Sequence, residues 1–206
     1  MPPASLRPSP AGLTVLTLLG AMPLHPYGMQ RLIKSLGKDE VVNIGQRANL
    51  YKTIKRLHEA GLIAVRQTER TQYPERTVYE LTEEGRRTGL LWLRDMLGAP
   101  RNEYPAFPAA LSFAMVLDPD EVASELARRL SAVQDHLAHL DSQLESYREF
   151  LPRIVLIETE YARAITHAEA GWLSSVLDDL KSRTLTWDHE QIAAQAAQTF
   201  LQAASP

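Results

Sequence analysis

Apolar and polar positions alternate along this chain in three different rhythms, and each predicts an element. Leu13, Val15, Leu16, Leu18 and Leu19 form an almost wholly apolar run, a first helix well short of the roughly 20 residues that cross a bilayer. Met22-Pro23-Leu24-His25-Pro26 breaks it. Tyr27, Met29, Leu32, Ile33 and Leu36 then give a second helix with one inward face, and 38–43 reads as a loop. Over Gln46 to Ala60 a third helix is predicted, because Leu50, Ile54, Leu57 and Gly61 recur at i, i+4, i+7 and i+11. Ala48, Lys52, Lys55 and Glu59 stand opposite that stripe. Gly61 is placed to end the helix in the left-handed conformation. Leu62, Ile63 and Val65 open a β-rich run that returns through Thr77, Val78, Tyr79 and Leu81. Between them lies a polar tip, Arg70 to Arg76, stiffened by Pro74. Thr82 caps a fourth helix whose first turn holds Glu83 and Glu84, where the helix dipole favours acids.

The second half follows a longer rhythm. Gly98-Ala99-Pro100 opens a linker, dividing the chain into domains 1–97 and 98–206, and Pro105 and Pro108 mark an irregular stretch before Ala109 to Leu117. Asp118-Pro119 reads as an N-cap with proline at the first helical position. Leu126, Leu130, Val133, Leu137, Leu140, Leu144, Tyr147 and Leu151 then alternate spacings of four and three, a heptad seam that Pro152 interrupts. Ile154, Ile157, Tyr161, Ile165, Ala168, Trp172, Val176 and Leu180 supply a second long helix. The fold class expected is mainly α with a small β-hairpin wing and long C-terminal antiparallel helices. One chain offers an antiparallel hairpin, and two chains burying these seams against each other would place a dimer interface at Leu126, Leu130, Val133, Leu137, Leu140, Leu144, Trp172 and Val176. Standing alone, this half also reads as a structural coiled coil. Trp187 to Pro206, rich in alanine and glutamine, reads as a loosely docked or frayed helix.

The order helix, helix, helix, hairpin, helix is that of a winged helix-turn-helix, which presents one helix and one β-ribbon to DNA. In such modules the start of the recognition helix enters the major groove. Gln46, Arg47 and Asn49 occupy that start, and Lys52 and Lys55 follow on the polar face. Gln and Asn pair with adenine, Arg with guanine, and Lys with guanine or phosphate. Arg70 and Arg76 on the hairpin reach phosphate or the minor groove. A polar face on an amphipathic helix is ordinarily only solvated; its place between a helical segment and a β-ribbon favours DNA. Tyr51 sits at the edge of the apolar stripe, which gives it a core reading.

Charge sharpens this picture. Residues 1–97 carry 14 Lys and Arg against 9 Asp and Glu, a balance of +5, whereas 98–206 carry 8 against 16, a balance of −8. The pI near 6.1 averages a basic end with an acidic one, and a nucleic-acid footprint is local. With no cysteine there is no disulfide, thiol nucleophile or Cys-based zinc site. The lone Arg7 before the Leu13 to Leu19 run, with no cleavage site after it, makes no signal peptide, so a cytoplasmic protein is expected. No glycine-rich phosphate loop, nucleophile elbow or His-Glu-x-x-His pair appears, and neither enzyme activity nor a cofactor is expected. His136 and His139 share a helix face beside Asp135, but no third ligand stands at a metal-site spacing, so these are read as solvated residues and no metal is expected. Trp92 and Trp172 offer aromatic planes for a flat hydrophobic effector in a cavity between domain and dimer interface; the alternative is interface core.

Three strings carry a family resemblance. They are Leu18-Leu19-Gly20 with Pro23-Leu24-His25-Pro26-Tyr27-Gly28; Asn49-Leu50-Tyr51-Lys52-Thr53-Ile54-Lys55-Arg56-Leu57 with Gly61-Leu62-Ile63; and Arg76-Thr77-Val78-Tyr79-Glu80-Leu81-Thr82-Glu83-Glu84-Gly85-Arg86. In this order they resemble the PadR-like transcriptional regulators over residues 1–97. Pro108-Ala109-Ala110-Leu111, Glu160-Tyr161-Ala162-Arg163 and Ala170-Gly171-Trp172-Leu173 are similar to the C-terminal domain of the family's virulence-activator-like branch. The chain departs from the family at the wing tip, where Tyr73-Pro74-Glu75-Arg76 replaces Gly-Arg-Pro-Arg, at Pro26 in place of glycine, and at Ala48-Asn49. The resemblance implies a homodimeric, sequence-specific regulator of double-stranded operator DNA, a repressor released by a small-molecule effector, with Tyr51 on the DNA backbone. The competing class is a helical scaffold that turns the winged helix to protein contacts.

Overall fold

The computed structural model describes residues 6–38, 42, 47–69, 76–188 and 192, in two compact units, Met1–Asn102 and Glu103–Pro206. The first unit contains α1 (Pro10–Ala21), α2 (Pro26–Ser35), α3 (Arg47–Glu59), β1 (Ile63–Glu69), β2 (Arg76–Leu81) and α4 (Glu83–Gly98). Prolines open α1 and α2 at a position whose N–H has no helical partner to lose. Ser9 Oγ caps α1 by accepting from Gly12 N–H at 3.1 Å, and His25 Nδ1 caps α2 by accepting from Gly28 N–H at 2.8 Å. The break between these helices does more than separate them. Leu24 N–H donates to Tyr79 O at 3.0 Å and Tyr79 N–H returns a bond to Leu24 O at 2.9 Å, adding a bridge to the edge of the hairpin.

The apolar stripe of α3 is sealed. Leu50, Ile54 and Leu57 are buried with Val15, Leu16 and Leu19 of α1, Met29 and Ile33 of α2, Ile63 and Trp92. Each contributes about 2 kcal/mol by leaving water. Gly61 then turns the chain at φ +71°. β1 and β2 pair antiparallel, but the register slips between Val65, opposite Tyr79, and Gln67, opposite Val78. Arg66 is therefore an extra, bulged residue, which the simple two-residue alternation did not predict.

The second unit contains α5 (Ala106–Leu111), a single 3-10 turn (Ala114–Val116), α6 (Pro119–Tyr147) and α7 (Arg153–Lys181). Helix begins earlier than the prolines suggested, because Pro108 falls in the first turn of α5, where its missing N–H is harmless. Asp118 N–H donates to Glu121 Oε2 at 3.2 Å at the start of α6. Arg129 pairs with Glu169 and Asp141 with Arg163, a reversed order that makes α6 and α7 antiparallel. Near the turn, hydrogen bonds from Arg153 hold the Glu160 carboxyl below its ordinary range.

The seam expected between two chains is used inside one. Leu126, Leu140 and Leu144 are buried, and Leu130, Val133 and Leu137 are half-buried. On α7 the inward residues are Leu156, Leu173, Leu177 and Leu180. The row expected there is thus split, and Ile154, Ile157, Tyr161, Ile165 and Trp172 face outward while Val176 is half-buried. The hairpin satisfies its own leucines first, since they meet at no cost in association. Of the expected C-terminal helix, Trp187, Asp188 and Ile192 are described, and the rest lies outside the described residues. No helix among the described residues is long and apolar enough to cross a membrane.

Candidate nucleic-acid interface

Burying one face of α3 fixes what the other presents. With Leu50, Ile54 and Leu57 inward, Lys52, Lys55 and Arg56 project to solvent, and Tyr51 is 55 % exposed. Tyr51 is therefore a surface residue, and the core alternative for it falls. Lys52 makes no ion pair among the described residues, while Lys55 lies 3.8 Å from Glu59 with both side chains exposed. An exposed i,i+4 pair of this kind is worth about 0.3–0.5 kcal/mol, so a phosphate displaces it easily. Asn49 is half-buried; its carbonyl accepts from Thr53 Oγ1 at 2.8 Å. It lies in the first turn of α3. Gln46 and Arg70 lie outside the described residues, and of Arg47 and Arg76 only the backbone is described, at the first residues of α3 and β2.

The hairpin is locked to the end of α3 through Thr82. Its Oγ1 donates toward Gly61 O at 2.8 Å and Leu62 O at 2.9 Å, and accepts from Gly85 N–H at 3.0 Å. A Cβ on Gly85 would sit 1.9 Å from Leu62 O, so only glycine lets α4 start this close to β1. The helix and the wing are thereby held in one rigid unit. The bulge adds a cation that the sequence reading missed. Arg66 is exposed and lies 3.9 Å from Glu80. A Val-Arg-Gln run in a strand carries no signal for a bulge, which depends on the partner strand's register.

Residues 15–89 match the family model of the transcriptional regulator PadR-like family. Within the N-terminal unit, these residues are similar to the PadR-like family. The three resembling strings now have structural reasons: the Leu24–Tyr79 bridge, the sealed stripe of α3, and the Thr82–Gly85 lock. None of the curated proteins matches this chain. Among solved structures, PadR of Bacillus subtilis in complex with operator DNA is similar at 20 % identity, covering 82 % of this chain and 98 % of that one, with a TM-score of 0.64. The virulence activator AphA of Vibrio cholerae is similar at 17 % identity over 84 % of this chain and 99 % of that one, TM-score 0.65. The B. subtilis PadR complex with p-coumaric acid is similar at 19 % identity over 82 % and 98 %, TM-score 0.66. At these identities the likeness is one of fold, and it extends beyond the PadR-like domain into the helices of the second unit.

The two tryptophans offered either for an effector cavity or for interface core part company. Trp92 is 5 % exposed in the PadR-like domain's core, its ring against Gly12, where a Cβ would sit 2.7 Å from it. It is a core residue. Trp172, in the other unit, is 44 % exposed and meets the edge of Phe107 with centroids 6.1 Å apart. His136 and His139 are exposed on α6, and the described residues include no group of three or more side chains able to hold a metal ion.

Proposed function

We propose that this chain is a homodimeric, sequence-specific DNA-binding transcriptional regulator of the cytoplasm, acting as a repressor that a small hydrophobic effector releases. The observation that carries this reading is the division of α3 into a sealed apolar face and an exposed face bearing Tyr51, Lys52 and Lys55. Arg47 and Asn49 lie in its first turn, and Gln46 precedes it in sequence; this is the part of a recognition helix that reads base edges. Lys52, Lys55 and the wing arginines Arg70 and Arg76 neutralise phosphates, and Tyr51 packs on the backbone. Operator binding by PadR of B. subtilis and its complex with p-coumaric acid support the operator and effector parts of the reading. Dimerisation uses the outward row of α7, Ile154, Tyr161 and Ile165, in place of the seam leucines. Two reading helices on a twofold axis then meet half-sites about 10 base pairs apart. A nuclease footprint on the DNA upstream of its own gene tests this. Two protected half-sites of inverted sequence at that spacing are expected, and a protein that leaves no footprint at low salt is a scaffold instead.

A further inference from the structure

We propose that the second unit holds a binding site for an uncharged, flat apolar molecule, in a recess of about 450 Å³ between α5, α7 and the segment after α7. This gives the effector of the proposed function a place and a ligand class, and rests on that reading only for its regulatory consequence. Leu111 and Met115 form one wall, Trp172, Val176 and Leu180 the floor, and Trp187 the far wall.

The walls are built, and their ties are named. After α7 the chain folds back through Arg183, at φ +61°, whose guanidinium lies 3.0 Å from Asp120 at the start of α6. Leu185 N–H donates to Asp179 O at 3.0 Å, and Trp187 Nε1–H donates to Leu117 O at 3.0 Å. On the opposite side Phe107 sits under the Arg129 guanidinium, 3.5 Å from its centroid, and sets its ring against Trp172. Both tryptophan planes are therefore fixed before any ligand arrives, which lowers the ordering cost of binding.

Size and charge select the occupant. The volume falls in the range of small-molecule pockets. Among the described residues no ionisable side chain lines the recess; the neighbouring arginines are already spent on Glu169 and Asp120. A carboxylate or ammonium would lose its hydration there without a counter-charge. α5 follows directly on the 99–105 connector, so a ligand held against Leu111 and Met115 acts on the segment that joins this unit to the DNA reader.

The test is a titration of the full chain with N-phenyl-1-naphthylamine, a neutral flat probe, read by its own emission and by energy transfer from tryptophan, without DNA. One probe per chain is expected. Affinity should fall about tenfold or more in Met115→Glu and in Leu185→Glu, both at exposed positions that tolerate charge. It should hold in Leu97→Glu on α4, with helix content unchanged in all three. The sulfonated relative 1-anilinonaphthalene-8-sulfonate should bind about tenfold more weakly or worse. No probe binding, equal binding of the sulfonate, indifference to both recess variants, or loss of binding as chains associate would each overturn the proposal. Failure to bind DNA leaves these outcomes legible and counts only against the regulator.

Discussion

Gly85 and Thr82 are the residues on which the N-terminal unit turns. A methyl group at position 85 would be driven into Leu62 O, and backbone cannot yield as a side chain tip can. Gly85→Ala is expected to lower stability by about 3 kcal/mol, the upper end of overpacking costs, seen as a fall in urea midpoint with its slope unchanged. Thr82→Ala, which loses the cap and the bonds to Gly61 O and Leu62 O, should cost about 1–2 kcal/mol, and Thr82→Ser should recover most of it. Thr82 was legible as a cap because a hydroxyl before two glutamates has a local reason. Gly85 was not, because its reason is the Leu62 carbonyl 23 positions away in sequence. Trp92 was misread for a similar cause: nothing local to it announces that α1 approaches through Gly12.

For single elements, legibility follows the number of apolar faces. α3 has one stripe, Leu50, Ile54 and Leu57, and its inward side could be read directly. α7 has two, with Leu156, Leu173, Leu177 and Leu180 inward and Ile154, Tyr161, Ile165 and Trp172 outward. Periodicity alone cannot say which of two apolar stripes closes the hairpin, and the row read from the sequence is mostly the outward one. In β1 the bulge at Arg66 escaped notice because it is a property of the pair β1–β2. The exposed face of α3 makes separable predictions. Lys52→Ala should weaken binding to every duplex alike and reduce the slope of log K against log salt by about 1. Asn49→Ala should instead cost about 1–3 kcal/mol of discrimination at one base pair and leave the salt slope unchanged. A reversed pattern in a binding series would place Asn49 on phosphate and Lys52 on a base.

In the whole molecule, a basic unit is joined to an acidic helical one, and the second carries an apolar row its own fold leaves open. Tyr161 is 70 % exposed and Ile165 53 %, on a helix whose inner leucines are already covered. Tyr161→Glu with Ile165→Glu should give monomers by analytical ultracentrifugation at concentrations where the native chain is dimeric, with helical circular dichroism retained. Leu140→Glu should differ in kind, unfolding the hairpin because Leu140 is buried within it. A double variant that stays dimeric would move the interface off this row. The charge balance and the Pro-marked stretch after Gly98 set the expected boundary at 97/98 from composition alone, whereas the compact units part at 102/103, a matter of contacts.

The central claim is that α3 reads DNA, and fluorescence anisotropy addresses it most directly. The full chain would be titrated with its own upstream fragment and with a scrambled duplex across a salt series, beside an Arg47→Ala, Lys52→Ala variant that keeps its helix content and dimeric state. Binding to the upstream fragment should exceed that to scrambled DNA by about a thousandfold or more, should weaken linearly in log salt, and should collapse in the variant. Equal, weak binding of both duplexes, or a variant that binds as the native chain does, would contradict α3 as the reading element.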